Sequence, residues 1–581
     1  MYVAVVPNRN SPPAVLLRES FREDGKVHNR TIANLSHWPP AKVDALRAVL
    51  KGSTALGAPL PQAFDIVRSR PHGHVAAVLG TLHKLRLDRL FDKHDDRNRD
   101  LALAMIAARV LEPASKLATS RALHPDTLSS TLGELLHLDN VNEDELYQAM
   151  DWLLPQQAHI EDALAKRHLA EGSLVLYDLT STYFEGRHCP LGKLGHSRDD
   201  KQGKLQIVFG LMTNADGCPI AVEVYAGNTS DPKTVSDQIT KLRQRFGLQR
   251  VILVGDRGMI TSARLRENLK PAPGIEWITA LRAPAIKKLA SEGVLQLSLF
   301  DARDLAEITH PDFPGERLVA CYNPILAEER ARKRPELLAA TEKELEKIAV
   351  ATRRKKRPLR GKQNIGMRAG KVLNHYKMGK HFQVQIEDDS FTYQRKQANI
   401  EKEESLDGIY IIRTNVPAEV LSSEQAVRNY KKLAGVERAF RSLKTVDLHV
   451  RPIHHREPDR VRAHIFLCML AYYVEWHMRK NLAPLLFDDE DKVAAEKLRA
   501  SVVAPAQRST SALSKAHRKR TQDDLPVHSF QTLLADLATI VSNRVQPKDA
   551  STPAFDMITI PTALQQRALD LLQVTIKPPA A

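Results

Sequence analysis

The sequence predicts an α/β chain centred on a mixed five-stranded sheet, with a β-hairpin and helices before it and helices at the C-terminus. Two observations carry this. Between residues 173 and 284, runs rich in Val, Ile, Leu and aromatics fall in the order strand, strand, strand, helix, strand, helix, strand. Near 285 that order breaks off into a long charged helix, and helical periodicity returns from about 423.

Taken in order, residues 1 to about 55 alternate as strands do, and Asp24-Gly25 in SFREDGKVHNRTIANL is a hairpin turn. Residues 76–170 read as helical, and Asn142 with Glu145 forms a capping box for EDELYQAMDWLL. SLVLYDLTSTYF, KLQIVFGLMTN and CPIAVEVYAGN are the first three strands, with Asp216-Gly217 turning the second into the third. Asp231-Pro232 supplies an N-cap and a first helical proline for the helix that follows. RVILVGDRG and IEWITALRA complete the sheet. This is the element order of a ribonuclease-H-like domain. Residues 326–352 form a long charged helix, followed by the basic run Arg353, Arg354, Lys355, Lys356, Arg357 and two strand-like stretches. The run could track a DNA backbone or be a solvated helix end. A helix over about 423–445 and the apolar VRAHIFLCMLAYYVEWHM come next, and 500–525 reads as a polar linker. The expected domains are therefore 1–75 (β-rich), 76–170 (helical, a candidate DNA-binding domain or a helical packing unit), 171–284 with 416–480 (catalytic core), 285–415 (insertion) and 481–581 (C-terminal helices with a flexible linker).

Lys and Arg total 85 against 69 Asp and Glu, a net charge of +16. That surplus suits a polyanionic partner, and equally a basic protein kept soluble by charge. Cys189, Cys218, Cys321 and Cys468 form no CxxC pair, so no zinc ribbon is predicted. The N-terminus lacks secretion-signal features, and no segment reaches the roughly 18 apolar residues of a membrane span, so a cytoplasmic protein without a membrane partner is expected.

The chemistry rests on carboxylates. Asp178 and Asp256 sit within or at the end of apolar strands, where an acid is costly to bury. Each alone could cap a turn or pair with an Arg such as Arg257. Tyr430, Glu437 and Lys444, spaced seven residues apart, add a second pattern. On a straight helix Glu437 lies within roughly 20° and Lys444 within roughly 40° of Tyr430. One face thus carries a hydroxyl, a carboxylate and an ammonium. In-line attack on a phosphodiester uses two divalent metals, one activating the attacking oxygen and one stabilising the leaving oxygen. Several convergent carboxylates suit hard Mg²⁺.

The motifs YDLTSTYFEG, GHSRDDKQGKLQIVFGLM, VGDRGM and YKKLAGVERAFRSLKT, with the stretch LHVRPIHHREPDRVRAHIFLCMLAYYV, resemble the bacterial insertion-sequence DDE transposases. The group is that with the motif Tyr-x2-Arg-x3-Glu-x6-Lys, the insertion sequence four superfamily, and the resemblance runs from the N-terminus to about residue 480. It implies a ribonuclease-H-like core with an insertion between the second Asp and the Glu, for which the 181 positions from Asp256 to Glu437 leave room. It makes Asp178, Asp256 and Glu437 the catalytic ligands of two Mg²⁺ (or Mn²⁺) ions. Tyr430 and Lys444 become contacts to double-stranded DNA at the element's terminal inverted repeats. Leu433 stands where the motif has Arg: either this branch does without that contact or another cation replaces it, with Arg441, within about 40° of Glu437, as the candidate. The implied activity is metal-dependent cleavage of transposon ends and strand transfer into target DNA by a cut-and-paste route, with a homodimer on DNA. A hairpin route would need an aromatic wedge for a flipped base, but Trp277 in IEWITAL reads as strand core. A nuclease of the same fold, or a DNA-binding protein that has lost the chemistry, are the competing readings. His188, Cys189 and His196 match no common zinc spacing, and Asp199 and Asp200 read as a surface turn.

Overall fold

The computed structural model describes residues 1–9, 11–23, 25–51, 63–91, 96–295, 297–300, 304–499, 501–548 and 553–577. The chain divides into two compact units, one of residues 1–89, 93–149 and 522–581, the other chiefly of 150–521. These units cut across the expected division at 75, 170 and 480.

In the first unit, β1 (Tyr2–Val6), β2 (Ala14–Glu23) and β3 (Lys26–Asn34) form an antiparallel sheet in that order. Gly25 turns β2 into β3 at φ +77°, a value glycine adopts without strain; Asp24 lies outside the described residues. After the helix Pro40–Leu50 comes β4 (Phe64–Pro71), and then the helices Gly73–Lys84 and Asp96–Leu111. Asn142 and Glu145 do form the expected capping box, each side chain accepting from the other's backbone N–H at 3.0 and 3.1 Å.

The second unit is built on one sheet. Its centre comprises β5 (Ser173–Tyr183), the short β6 (Lys193–Leu194), β7 (Leu205–Asn214), β8 (Pro219–Ala226), β9 (Val251–Val254) and β10 (Ile275–Ala280). The five expected strands stand in the order β8-β7-β5-β9-β10, with β5, β9 and β10 parallel and β7 antiparallel to both β5 and β8. These central strands are buried almost throughout, as their unbroken apolar sequence requires. The sheet is larger than five strands. β11 (Leu305–Ile308), β12 (Arg317–Tyr322) and β15 (Ile409–Thr414) extend it past β10, giving nine with β6. Three strands assigned to the insertion therefore belong to the core sheet; β15 lies against β10, which would otherwise present an open edge.

What remains of the insertion has its own core. The helix Pro324–Thr352, capped by Asn323, packs on the helix Lys362–Tyr376 and on the hairpin β13 (Phe382–Ile386) and β14 (Phe391–Arg395). Leu345, Ile365, Phe382 and Phe391 meet at its centre. The basic run Arg353–Arg357 leaves the helix end and is exposed.

The apolar helix is Pro458–Leu482, sixteen of whose side chains are buried, packed on β8. Among the described residues, no helix is long and apolar enough to cross a membrane. The expected linker holds a helix, Thr510–Arg518, capped by Ser509. The expected all-helical C-terminus also contains β16 (Val541–Pro547) and β17 (Phe555–Ile558). β16 pairs antiparallel with β4, so the two ends of the chain build one sheet.

Candidate functional site

Strand register sets the first two carboxylates side by side. β5 and β9 run parallel with Leu176 opposite Val254, so Asp178 and Asp256, each two residues further on, emerge at the same end of neighbouring strands. Asp178 stays within β5, opposite Leu211 of β7, and one of its oxygens accepts the Leu179 N–H at 2.8 Å. Asp256 lies just past β9, where its Oδ2 accepts the Gly258 N–H at 3.2 Å.

The third carboxylate arrives on the helix Leu433–Arg441, which packs on β5. Leu433, Val436, Ala439 and Phe440 are buried, and Phe440 meets Phe209 of β7 edge-on at 5.6 Å. That apolar stripe leaves Glu437 exposed on the face toward the cavity. The expected single helix is interrupted: Ser423–Lys431 ends in a turn at Lys432, and after Arg441 the chain widens into a π-helical turn, Ser442–Val446. The ideal wheel therefore does not hold along the whole segment. Even so, Tyr430, Glu437, Arg441 and Lys444 line the same cavity of ≈ 750 Å³ as Asp178 and Asp256, so all six expected residues come together.

Electrostatics divide this cavity. Among the described residues, no ion pair neutralises Asp178, Asp256 or Glu437. Burial, reinforced by the charges of Asp256 and Glu437 and opposed by the Leu179 N–H and Arg198, pushes Asp178 up to about 7. The Tyr430 hydroxyl donates to Asp256 Oδ1 at 3.5 Å, and burial first, then Asp256, pushes its pKa up so that it stays neutral. Elsewhere the acids are matched. Lys444 donates to Asp199 Oδ1 at 3.0 Å, Arg451 stands 3.2 Å from Asp199 Oδ2, and Arg198 pairs with Asp231. Burial lowers the Lys444 pKa, against the pull of Asp199.

Four of these residues escaped the sequence reading. Asp199, read as part of a surface turn, has a side chain only 10% exposed and shared between two cations. Asp231, read as an N-cap, makes no capping bond; Ser230 holds that position and Asp231 pairs with Arg198 instead. Arg198 and Arg451 carried no signal beyond their charge. Leu433 is buried at the cavity wall and offers no polar contact there, whereas Arg441 is exposed in the cavity. Trp277 is core, 2% exposed. Lys431 turns away from the carboxylates, donating to the carbonyls of Val502 and Val503 at 2.7 and 2.8 Å, which fastens the chain after Ala495 to this helix.

Three carboxylates without an ion pair sharing one cavity, one of them pushed up to about 7 by burial first and by the other two, fit hard divalent cations with oxygen ligands. A second cavity of ≈ 460 Å³ begins beside Arg257 and is lined by Lys287, Arg330, Lys333 and Lys380, so cations continue from the carboxylates toward the insertion.

No curated protein matches the chain. Among solved structures, it resembles that described as the piggyBac transposase synaptic complex with hairpin DNA, determined by cryo-EM. That likeness has 10% identity and a TM-score of 0.32, over 70% of this chain and 72% of that one. Residues 3–59 match the family model for the N-terminal domain of IS1634 family transposases. Residues 175–474, over half of the chain and the span holding all three carboxylates, match the model for the transposase DDE domain. The chain belongs to the insertion-sequence DDE transposases and is a DNA transposase.

Proposed function

We propose that this transposase cleaves the ends of its own element and joins them to target DNA on a ribonuclease-H-like core, with Asp178, Asp256 and Glu437 as the metal-binding triad. The observation that carries this is the convergence of those three side chains, from two adjacent strand ends and one helix, in a cavity where, among the described residues, none of them is in an ion pair. Mg²⁺ or Mn²⁺ seated there in a pair would activate the attacking water or 3′-hydroxyl and stabilise the leaving oxygen.

The chain's own groups do the rest. With its pKa pushed up to about 7, Asp178 is partly protonated at neutral pH, and holding a cation would release that proton to solvent. Tyr430 orients Asp256 through its hydroxyl and remains a neutral donor. Lys444 and Arg441 hold phosphates of the terminal repeat on the helix face that also carries Glu437, with Arg441 serving where Leu433 replaces the motif Arg. Leu433 and Phe440 give that face an apolar floor which fixes its distance from β5. Two copies, one for each element end, would meet on DNA.

The test is to incubate the protein with labelled DNA carrying the element's end, in Mg²⁺ or EDTA, beside Asp256→Asn. Metal-dependent nicking at the end, lost in the variant while DNA binding persists, is the expected result. Binding without nicking in the wild type, in Mg²⁺ and Mn²⁺ alike, would replace this reading with that of a DNA-binding protein. Cleaved but never joined products would leave a nuclease.

A further inference from the structure

A second donor cluster lies apart from the three carboxylates and is of a different chemical kind. His168 closes the helix Gln157–His168, Cys218 directly precedes β8, and His477 sits near the end of Pro458–Leu482. They are 50 and 259 residues apart in sequence, yet Cys218 Sγ stands 3.9 Å from His168 Nε2 and 3.9 Å from His477 Nε2. One ligand atom from each lies within 4.8 Å of the other two, and among the described residues no other trio of His, Cys, Asp or Glu does this.

Zinc bonds sulfur at about 2.3 Å and imidazole nitrogen at about 2.0–2.1 Å, which at tetrahedral angles holds its ligand atoms roughly 3.5 Å apart. The observed spacing is slightly wider, and small side-chain rotations would close it. Aromatic packing is the competing account, since Tyr473 meets the rings of His168 and His477 edge-on, at 5.5 and 4.6 Å between centroids. Ring packing explains the imidazole faces, and the Tyr473 hydroxyl engages His168 Nε2, but neither accounts for His477 Nε2 standing 3.9 Å from the same buried sulfur.

We propose that His168, Cys218 and His477 bind one borderline-soft divalent ion of the zinc class, separate from the hard-metal carboxylates. The fourth position falls to water or to the Tyr473 hydroxyl, 2.9 Å from His168 Nε2. As the metal–sulfur bond forms, the Cys218 thiol proton passes to solvent. The resulting thiolate offsets the ion's charge against the nearby Lys480 and Arg167. The ion would pin two helices to the turn before β8, which packs against both of them. Its role is therefore structural. A hard ion in excess would not displace it, because thiolate and imidazole select softer metals.

Full-length protein, stripped with chelator and titrated with Co²⁺ in excess Mg²⁺, tests this directly. The expected result is a near-ultraviolet thiolate-to-cobalt band that saturates at one equivalent and is bleached by an equivalent of Zn²⁺. The band should vanish in Cys218→Ser. In His477→Gln, which removes one of three protein ligands at a partly exposed position, affinity should fall by more than the roughly 10–100-fold that losing a hydrogen-bond partner of a ligand costs. No band in the wild type would overturn the proposal without any variant. So would an equal band in Cys218→Ser, since the thiol would then be Cys189, Cys321 or Cys468.

Discussion

Two sets of carboxylates share the catalytic cavity, and the chain treats them in opposite ways. Asp199 and Asp231 lie on the connections beyond β6 and β8 and are matched by Lys444, Arg451 and Arg198. Asp178, Asp256 and Glu437 lie on β5, at the end of β9 and on a packed helix, and among the described residues no ion pair matches them. A buried acid without a partner is destabilising, and the rise of Asp178 to about 7 shows that cost. Asp178 bears it on a strand paired on both sides, by β7 and β9, which holds the backbone rigidly where a cation site needs it, while Asp256 and Glu437 stay exposed. The matched set needs no such rigidity. Its cations are balanced within the protein, and on the reading proposed above DNA phosphate would take over from the carboxylates.

The largest expected effects test the unmatched set. Glu437→Gln should reduce nicking by more than the roughly 10²–10³-fold that losing one charge-stabilising donor costs, and leave DNA binding intact. Asp231→Asn, in the same cavity, should retain cleavage; a gel assay of both against end-labelled DNA separates them. Equal losses would erase the distinction between the sets. Next, Phe440→Ala removes the buried ring that seats the catalytic helix on β7, and should cost about 3–5 kcal/mol in denaturant unfolding of the second unit.

A third prediction concerns pH. Because the folded pKa of Asp178 is raised, its favourable contribution is present below its unfolded pKa near 3.8 and is lost as pH rises through about 7. Metal-free protein should therefore lose stability across that window, and the loss should shrink in Asp178→Asn. Mg²⁺ affinity should move the other way, rising through about pH 7 as the competing proton leaves. Calorimetric titration across pH 5.5–8.5, a range set to bracket that pKa, would read this, and a flat profile would mean Asp178 is already ionised without metal.

The difference between the two sets also explains what could be read from the sequence. An acid ending the apolar strand RVILVGDRG is conspicuous because the run before it goes into the core, although Asp256 itself emerges exposed. The heptad from Tyr430 to Lys444 is visible because a helix repeats locally. Asp199 lies in a polar loop and its partner Lys444 is 245 residues away, so its burial has no local signature. The same limit applies to the fold. β5, β7, β8, β9 and β10 were each legible as apolar runs, but β15 joins the core sheet rather than the insertion because of a pairing with β10 across the 128 residues between them. β16 pairs with β4 from the opposite end of the chain, and neither strand alternates cleanly enough to announce a partner. Ser509 and Thr510 open a helix inside a stretch whose polar composition reads as linker.

The smallest effect asks most of the comparison. If Asp199 holds Lys444 and Arg451 in the place of a phosphate, Asp199→Asn leaves two largely buried cations facing each other without a counter-charge. The free variant should then be less stable than the wild type. DNA should restore more of that loss, so the rise in Tm on adding element-end DNA should be larger in the variant. Affinity should tighten by about five- to tenfold at low salt, about 1 kcal/mol, with a steeper dependence on salt as more counterions are released. Lys444→Ala gives the opposite sign, lowering the salt slope by about 1. If Asp199→Asn lowers Tm equally with and without DNA, the pair is purely structural. The matched carboxylates would then be a packing device beside the cavity rather than a balance that DNA tips.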